Sequence, residues 1–223
     1  MSQEVAVKTY SKATMEKTVS HEDPLSEFAA MQFIGNNHPN ISSQICCIED
    51  DDTYFSIMRF HRGCELFDCV VNKSLSEASA KRIFLKLLDV FQYLQSLNVA
   101  HMDLSCENII VLNPENEKKV DVVLIDFGMS LRVPQSSDNK TPSCCLIPPQ
   151  GSYGKKNYIA PEVLQNGSPA TARPFNPLLC DMWALGVILF MMLTGEAPFG
   201  AATPAFAYYA DIMEGKLSSV LSF

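Results

Sequence analysis

Polar and apolar positions change period along this chain, and the changes mark its elements. Residues 4–8 alternate weakly and hold the β-rich run Val5-Ala6-Val7, which predicts a strand. Residues 21–35 predict a helix, with Phe28, Met31 and Ile34 on one face and Gly35-Asn36-Asn37 as its stop. Two further strands are predicted at 45–48 and 54–60, joined by the acidic turn Glu49-Asp50-Asp51-Asp52. Residues 1–60 therefore read as a small β-rich unit with one helix.

From 76 to 97 the period lengthens. Phe84, Leu87, Leu88, Phe91 and Leu94 recur at three and four, the stripe of an amphipathic helix. Ser76 fits its N-cap, and Ser74 with Glu77 fits a capping box; the sequence leaves both starts open. Short strands are predicted at 108–112 and 120–125, around a turn at Asn113-Pro114. Between 128 and 160 the period is lost, and residues 134–139 read as an exposed loop. The longest apolar run, 182–193, is shorter than the roughly 20 residues of a membrane span. It reads as a helix buried on all sides, followed by a helix around 205–213.

Composition narrows the class. With 223 residues, 47% hydrophobic and 19% charged, the chain has material for a sizeable core. A net charge of -8 offers no basic face for phosphate backbones, so no nucleic-acid partner is expected. The 8 cysteines form no Cys-x-x-Cys pair and no zinc spacing; reduced thiols in the cytoplasm, or alternatively the nucleus, are expected. Met1-Ser2-Gln3-Glu4 opens no basic-then-apolar signal, so neither secretion nor a membrane partner is expected, and the sequon Asn40-Ile41-Ser42 carries little weight.

Three strings then follow in one order: His101-Met102-Asp103-Leu104-Ser105-Cys106-Glu107-Asn108, Asp126-Phe127-Gly128, and Ala160-Pro161-Glu162. Around them stand Val5-Ala6-Val7-Lys8, His38-Pro39-Asn40-Ile41, Gly63-Cys64-Glu65-Leu66-Phe67-Asp68, Asp181-Met182-Trp183-Ala184-Leu185-Gly186 and Gly195-Glu196-Ala197-Pro198-Phe199. This ordered set resembles the catalytic domain of eukaryotic-type protein kinases, most closely serine/threonine kinases of the calcium/calmodulin-dependent type. The resemblance implies an α+β, bilobal protein-kinase-like fold. Residues 1–60 would be a partial β-rich N-lobe without its first two strands. Residues 61–223 would be a mainly helical C-lobe without its last helices.

The resemblance also implies chemistry: ATP- and Mg²⁺-dependent transfer to serine or threonine hydroxyls of a protein substrate. Lys8 would grip the α- and β-phosphates, held by Glu27, with Glu16 or Glu22 as other partners. Asp103 would be the base for the substrate hydroxyl, while Asn108 and Asp126 would hold Mg²⁺ through oxygen. Ala6 and Ile110 would bound the adenine, with Met58 behind it. The backbone of Arg59, Phe60 and His61 would pair with the base, and Glu65 would reach the ribose. His101, Phe127 and Met31 would pack together, and Asp181 would hold the catalytic loop's backbone.

Several positions depart from the family pattern. No glycine-rich loop precedes Lys8, and Glu162 lacks its basic partner, so a fragment truncated at both ends is expected. Met102 stands where regulated kinases have an arginine that pairs with phosphate. Phosphate on Ser136, Ser137, Thr141 or Ser143 would then lack its docking cation. Ser105 stands where the loop lysine is usual and Lys155 where a threonine is usual, which implies that Lys155 replaces that lysine. A kinase-shaped interaction module with weak or no ATP binding is the alternative reading, and a small-molecule kinase a more distant one.

Overall fold

The structure, a computed structural model, describes residues 4–17, 24–73, 75–133, 146–149, 154–168 and 170–216. It is an α+β fold in two lobes with a cleft between them. The small lobe is a three-stranded antiparallel sheet of β1 (Val5–Ser11), β2 (Gln44–Glu49) and β3 (Thr53–Arg59), in the order β1-β3-β2. Strand β1 outruns its expected end because Thr9, Tyr10 and Ser11 pair with Phe55, Tyr54 and Thr53. Its side chains alternate: Ala6, Lys8 and Tyr10 are half-buried, while Val5, Val7 and Thr9 are exposed. The period of a strand thus sends one lysine and one tyrosine to the same inner face. The acidic turn closes through Asp50, whose Oδ1 accepts from the backbone N–H groups of Asp52 and Thr53 at 2.9 and 2.8 Å.

Two helices complete this lobe, α1 (Lys12–Lys17) and α2 (Pro24–Ile34). Phe28, Met31 and Ile34 are buried on α2 as the pattern predicts, and Glu27 is buried beside them. Glu22, the side chain of Glu16, the 134–139 loop and the hydroxyls Ser136, Ser137, Thr141 and Ser143 lie outside the described residues.

The large lobe opens with β4 (Cys64–Glu65) and α3 (Leu66–Val71), neither of which the sequence pattern announced. Gly63 is required there: a Cβ on it would meet the Val111 carbonyl oxygen at 2.3 Å. Helix α4 (Glu77–Ser96) begins at Ser76, whose hydroxyl accepts from the Ser79 N–H at 3.1 Å; Ser74 is outside the described residues. Leu87, Phe91 and Leu94 are buried as expected, joined by Ile83 and Val90. Then come β5 (Val99–Ala100), a 3₁₀ turn at Cys106–Asn108, β6 (Ile109–Leu112), β7 (Asp121–Leu124) and β8 (Leu131–Arg132). These strands form the sheets β4-β6-β7 and β5-β8.

Helices α5 (Pro161–Gln165), α6 (Pro177–Thr194) and α7 (Ala207–Met213) follow. Here the expectation of a helix buried on all sides is corrected. Val187, Ile188 and Met191 are buried in α6, but Leu179 and Leu193 are each 56% exposed, because α4 and β5 pack on one side only. Among the described residues α6 alone is long and apolar enough to cross a membrane, and half of it is buried in the protein core.

The lobes meet through a parallel bridge between Ile41 and Leu124. Ser42 N–H donates to Leu124 O at 2.9 Å, and Leu124 N–H donates to Asn40 O at 2.8 Å. The buried Asn40 amide adds a bond to Val122 O at 2.6 Å. This seam fixes the end of β7, and Asp126 stands just beyond it.

Candidate active site

Lys8, Glu27 and Asp126 come from three separate elements and form one ion network. Lys8 Nζ donates to Asp126 Oδ1 at 2.8 Å and lies 3.4 Å from Glu27 Oε2. Burial works against the ammonium, but Glu27 and Asp126 overcome it and hold Lys8 charged well above the ordinary lysine range. Burial likewise works against the Asp126 carboxylate. The Lys8 bond prevails and keeps its pKa low. The Tyr10 hydroxyl donates a short hydrogen bond to Glu27 Oε2, and the Lys8 ammonium lies 5.2 Å from the Tyr10 ring centroid. Sequence reasoning passed over Tyr10, although its position two residues beyond Lys8 on a strand was the available signal.

The catalytic-loop residues gather on the opposite wall. Asn108 donates from Nδ2 to Asp103 O at 2.7 Å and to Asp103 Oδ2 at 3.0 Å, which leaves its amide oxygen for other work. Ile125 N–H donates to Asn108 O at 3.0 Å, tying this loop to the residue before Asp126. Among the described residues, Asp103 Oδ1 is buried without a hydrogen-bond partner. It borders a cavity of about 20 Å³, lined by Gly154, Lys155 and Ala160 among others, with room for about one water. A buried acceptor left unpaired is costly, so a donor brought here is favoured. Lys155 Nζ stands 3.6 Å from Asp103 Oδ2 and donates to Ser105 Oγ at 2.7 Å.

Supporting residues fix this wall. Asp181 on α6 accepts from His101 N–H at 2.6 Å and Met102 N–H at 2.9 Å, the backbone-holding part the sequence implied. Burial pushes Asp181 up to about 7, against the pull of those two donors. His101 donates from Nε2 to Ile125 O at 3.1 Å and accepts the Asp103 N–H at Nδ1, 3.3 Å away. Burial lowers its pKa and keeps the ring neutral, which suits one donor and one acceptor. Its ring centroid lies 4.9 Å from that of Phe127, which shares a buried cluster with Met31. Met102 is buried at φ +66° against an apolar cluster with Ile147 and Ile159. Glu162 receives a 3.7 Å contact from the Cys180 thiol.

Between the walls lies a cavity of about 220 Å³, bordered by Ala6, Lys8, Met58, Phe60, His61 and Ile110, with Glu27 and Asp126 at one end. Ser42, Arg59 and Ile125 also line it. Ser42 reaches it through the lobe seam, and its hydroxyl lies 3.3 Å from His61 Nε2. Glu65 is not in this lining; it is exposed on β4, paired with Ile110.

A two-lobed α+β fold with a hinge-side cavity, a lysine–glutamate pair above it and an Asp/Asn loop below is the architecture of a protein kinase domain. The protein kinase domain family matches residues 1–221, and the chain belongs to that family. It is similar to human "Serine/threonine-protein kinase H1", 33% identical over 182 residues, covering 81% of this chain and 39% of the relative. It is similar to "Calcium-dependent protein kinase 4" of Plasmodium falciparum, 30% identical over 200 residues, covering 89% of this chain and 34% of the relative. "Myosin light chain kinase A" of Dictyostelium discoideum is 33% identical over 180 residues, covering 80% and 54%. The chain thus spans between about a third and about half the length of these curated relatives.

Proposed function

We propose that this chain transfers the γ-phosphate of ATP to serine or threonine hydroxyls of protein substrates. One observation carries the reading: Lys8 contacts both Glu27 and Asp126, so the small lobe's cation already reaches the large lobe's carboxylate across the cleft. The printed name of the similar human protein supports the serine/threonine class.

Asn108 and Asp126 fit Mg²⁺. They offer an amide oxygen and a carboxylate, hard donors suited to a hard cation. Among the described residues no cluster of three or more His, Cys, Asp or Glu could hold a metal by itself. Mg²⁺ takes one or two protein oxygens and completes its shell with phosphate and water, so two such donors match its needs. Bound there, the ion would supply charge neutralisation for the phosphate oxygens. Lys8 would bind the α- and β-phosphates while Glu27 fixes its position. Ala6, Met58 and Ile110 would enclose the base, and Phe60 and His61 would offer backbone groups to its edge. Asp103 would orient the substrate hydroxyl and take its proton.

The reading is tested by incubating the full chain with γ-labelled Mg·ATP and a mixed serine/threonine peptide pool. Labelled phosphoserine or phosphothreonine is the expected product, absent in Asp103→Asn. Mg·ATP binding without any transfer would leave a kinase-shaped interaction module and overturn the reading.

A further inference from the structure

The loop that carries Asp103 brings no cation of its own: between Asp103 and Asn108 it reads Leu104-Ser105-Cys106-Glu107. Positive charge reaches Asp103 from residue 155 instead. The ammonium of Lys155 stands 3.6 Å from Asp103 Oδ2 and donates to Ser105 Oγ at 2.7 Å. One cation therefore binds both a hydroxyl and a carboxylate of a loop far away in sequence. Its neighbour behaves differently, since the Lys156 ammonium lies over the Phe206 ring, 5.5 Å from its centroid. The two lysines are thus not one solvated basic pair.

The backbone is shaped to permit this contact. Gly154 has φ +87°, and a Cβ on it would lie 3.0 Å from the Met102 carbonyl oxygen and 3.4 Å from Asp103 Oδ1. Only glycine lets this segment lie so close against the loop. Lys155 keeps 39% of its side chain exposed, while Asp103 keeps 14%, so the lysine is the more solvent-accessible member of the pair. Lys8, in the small lobe, is already held between Glu27 and Asp126.

Resting on the proposed kinase activity, we propose that Lys155 is the catalytic cation for the transferring phosphoryl group, with Ser105 as its positioning residue. In the step it serves, the substrate hydroxyl oxygen forms a bond to the γ-phosphorus. The bond from that phosphorus to the β,γ-bridging oxygen breaks, and its electron pair leaves with ADP. The hydroxyl proton passes to Asp103. Charge on the transferring group's oxygens develops beside that base, where Lys155 stands and where a fixed cation lowers the barrier most.

The test uses the full chain, Lys155→Thr, and the double variant Lys155→Thr/Ser105→Lys, which returns the cation to the loop. Turnover is measured with the peptide pool, and Mg·ATP and Mg·ADP affinities are measured by calorimetry. Lys155→Thr is expected to lower kcat at least about tenfold with the peptide KM unchanged. It is also expected to lower the preference for Mg·ATP over Mg·ADP at least about threefold, because only ATP presents the γ-phosphate. The double variant recovers part of both losses. If the wild type is active and Lys155→Thr is silent, or the double variant is no better than the single one, the inference is overturned and the kinase reading stands. If the wild type binds Mg·ATP but transfers nothing, the kinase reading falls. The inference, which rests on that reading, then falls with it. A wild type that binds neither nucleotide overturns both.

Discussion

Lys8 of the small lobe and Asp126 of the large lobe are joined by a 2.8 Å ion pair across the cleft, so each lobe's charge is balanced by the other's. The buried Glu27 shares the same ammonium. Among the described residues, removing the cation leaves Glu27 with the Tyr10 hydroxyl as its side-chain partner. Lys8→Met is therefore expected to destabilise the chain by about 1–3 kcal/mol, the cost of an unpaired buried acceptor. Adding Glu27→Gln removes the stranded charge and recovers part of that loss. Urea unfolding of both single variants and the double variant checks this. Strictly additive losses would mean that the two residues do not share one network.

Asp103→Asn and Asp126→Ala are expected to lower transfer by a factor of about 10²–10⁴ and leave the fold in place. Asp103 is half-buried on a loop and Asp126 stands beyond the end of β7, so neither fills the apolar core. Turnover with the peptide pool and the melting temperature are measured together. Near-full turnover in either variant would refute its assignment.

Neutral His101 gives stability a pH dependence. The folded pKa lies below the ordinary histidine value of 6.5 because the ring is buried. The unfolded chain thus binds more protons as the pH falls through that value, and stability is lost on acidification. Asp103 and Asp126 pull the ring the other way, and Lys155 adds to the lowering. His101→Phe keeps an aromatic partner for Phe127 but cannot titrate. The stability advantage of wild type over His101→Phe is expected to shrink as pH falls from about 7.5 to about 5, with a limiting slope of about 1.4 kcal/mol per pH unit. Parallel stability curves for the two proteins would rule this out.

Gly154→Ala tests the close approach behind Lys155. A Cβ there meets the Met102 carbonyl in a backbone conformation that costs an L-residue roughly 1–2 kcal/mol. The segment must move off the catalytic loop, and kcat is expected to fall between about tenfold and about a hundredfold. A variant with wild-type kcat would show that the segment carrying Lys155 tolerates displacement.

The local pattern announced much of this protein. The stripe on α4, the buried face of α2 and the paired strands around the acidic turn all follow from periods that neighbouring residues set. The spacing from Asp103 to Asn108 is likewise local, since one turn of backbone brings the Asn108 amide onto the Asp103 carbonyl. Short elements such as β4, α3 and β5 were illegible because two to six residues hold too few repeats to display a period.

What the sequence determined by itself is therefore the order of the motifs, the inner face of β1 and the elements long enough to show a period. Tertiary structure alone decided which distant groups meet. It put Tyr10 on Glu27, Ser42 and Ile125 in the cleft wall, and Glu65 outside that lining. It also left Leu179 and Leu193 exposed on a helix whose apolar run suggested burial all round. Periodicity reports what a residue's neighbours along the chain require. Pairings between separate elements depend on how the lobes pack, and that packing is fixed by the Ile41–Leu124 seam and the shared core.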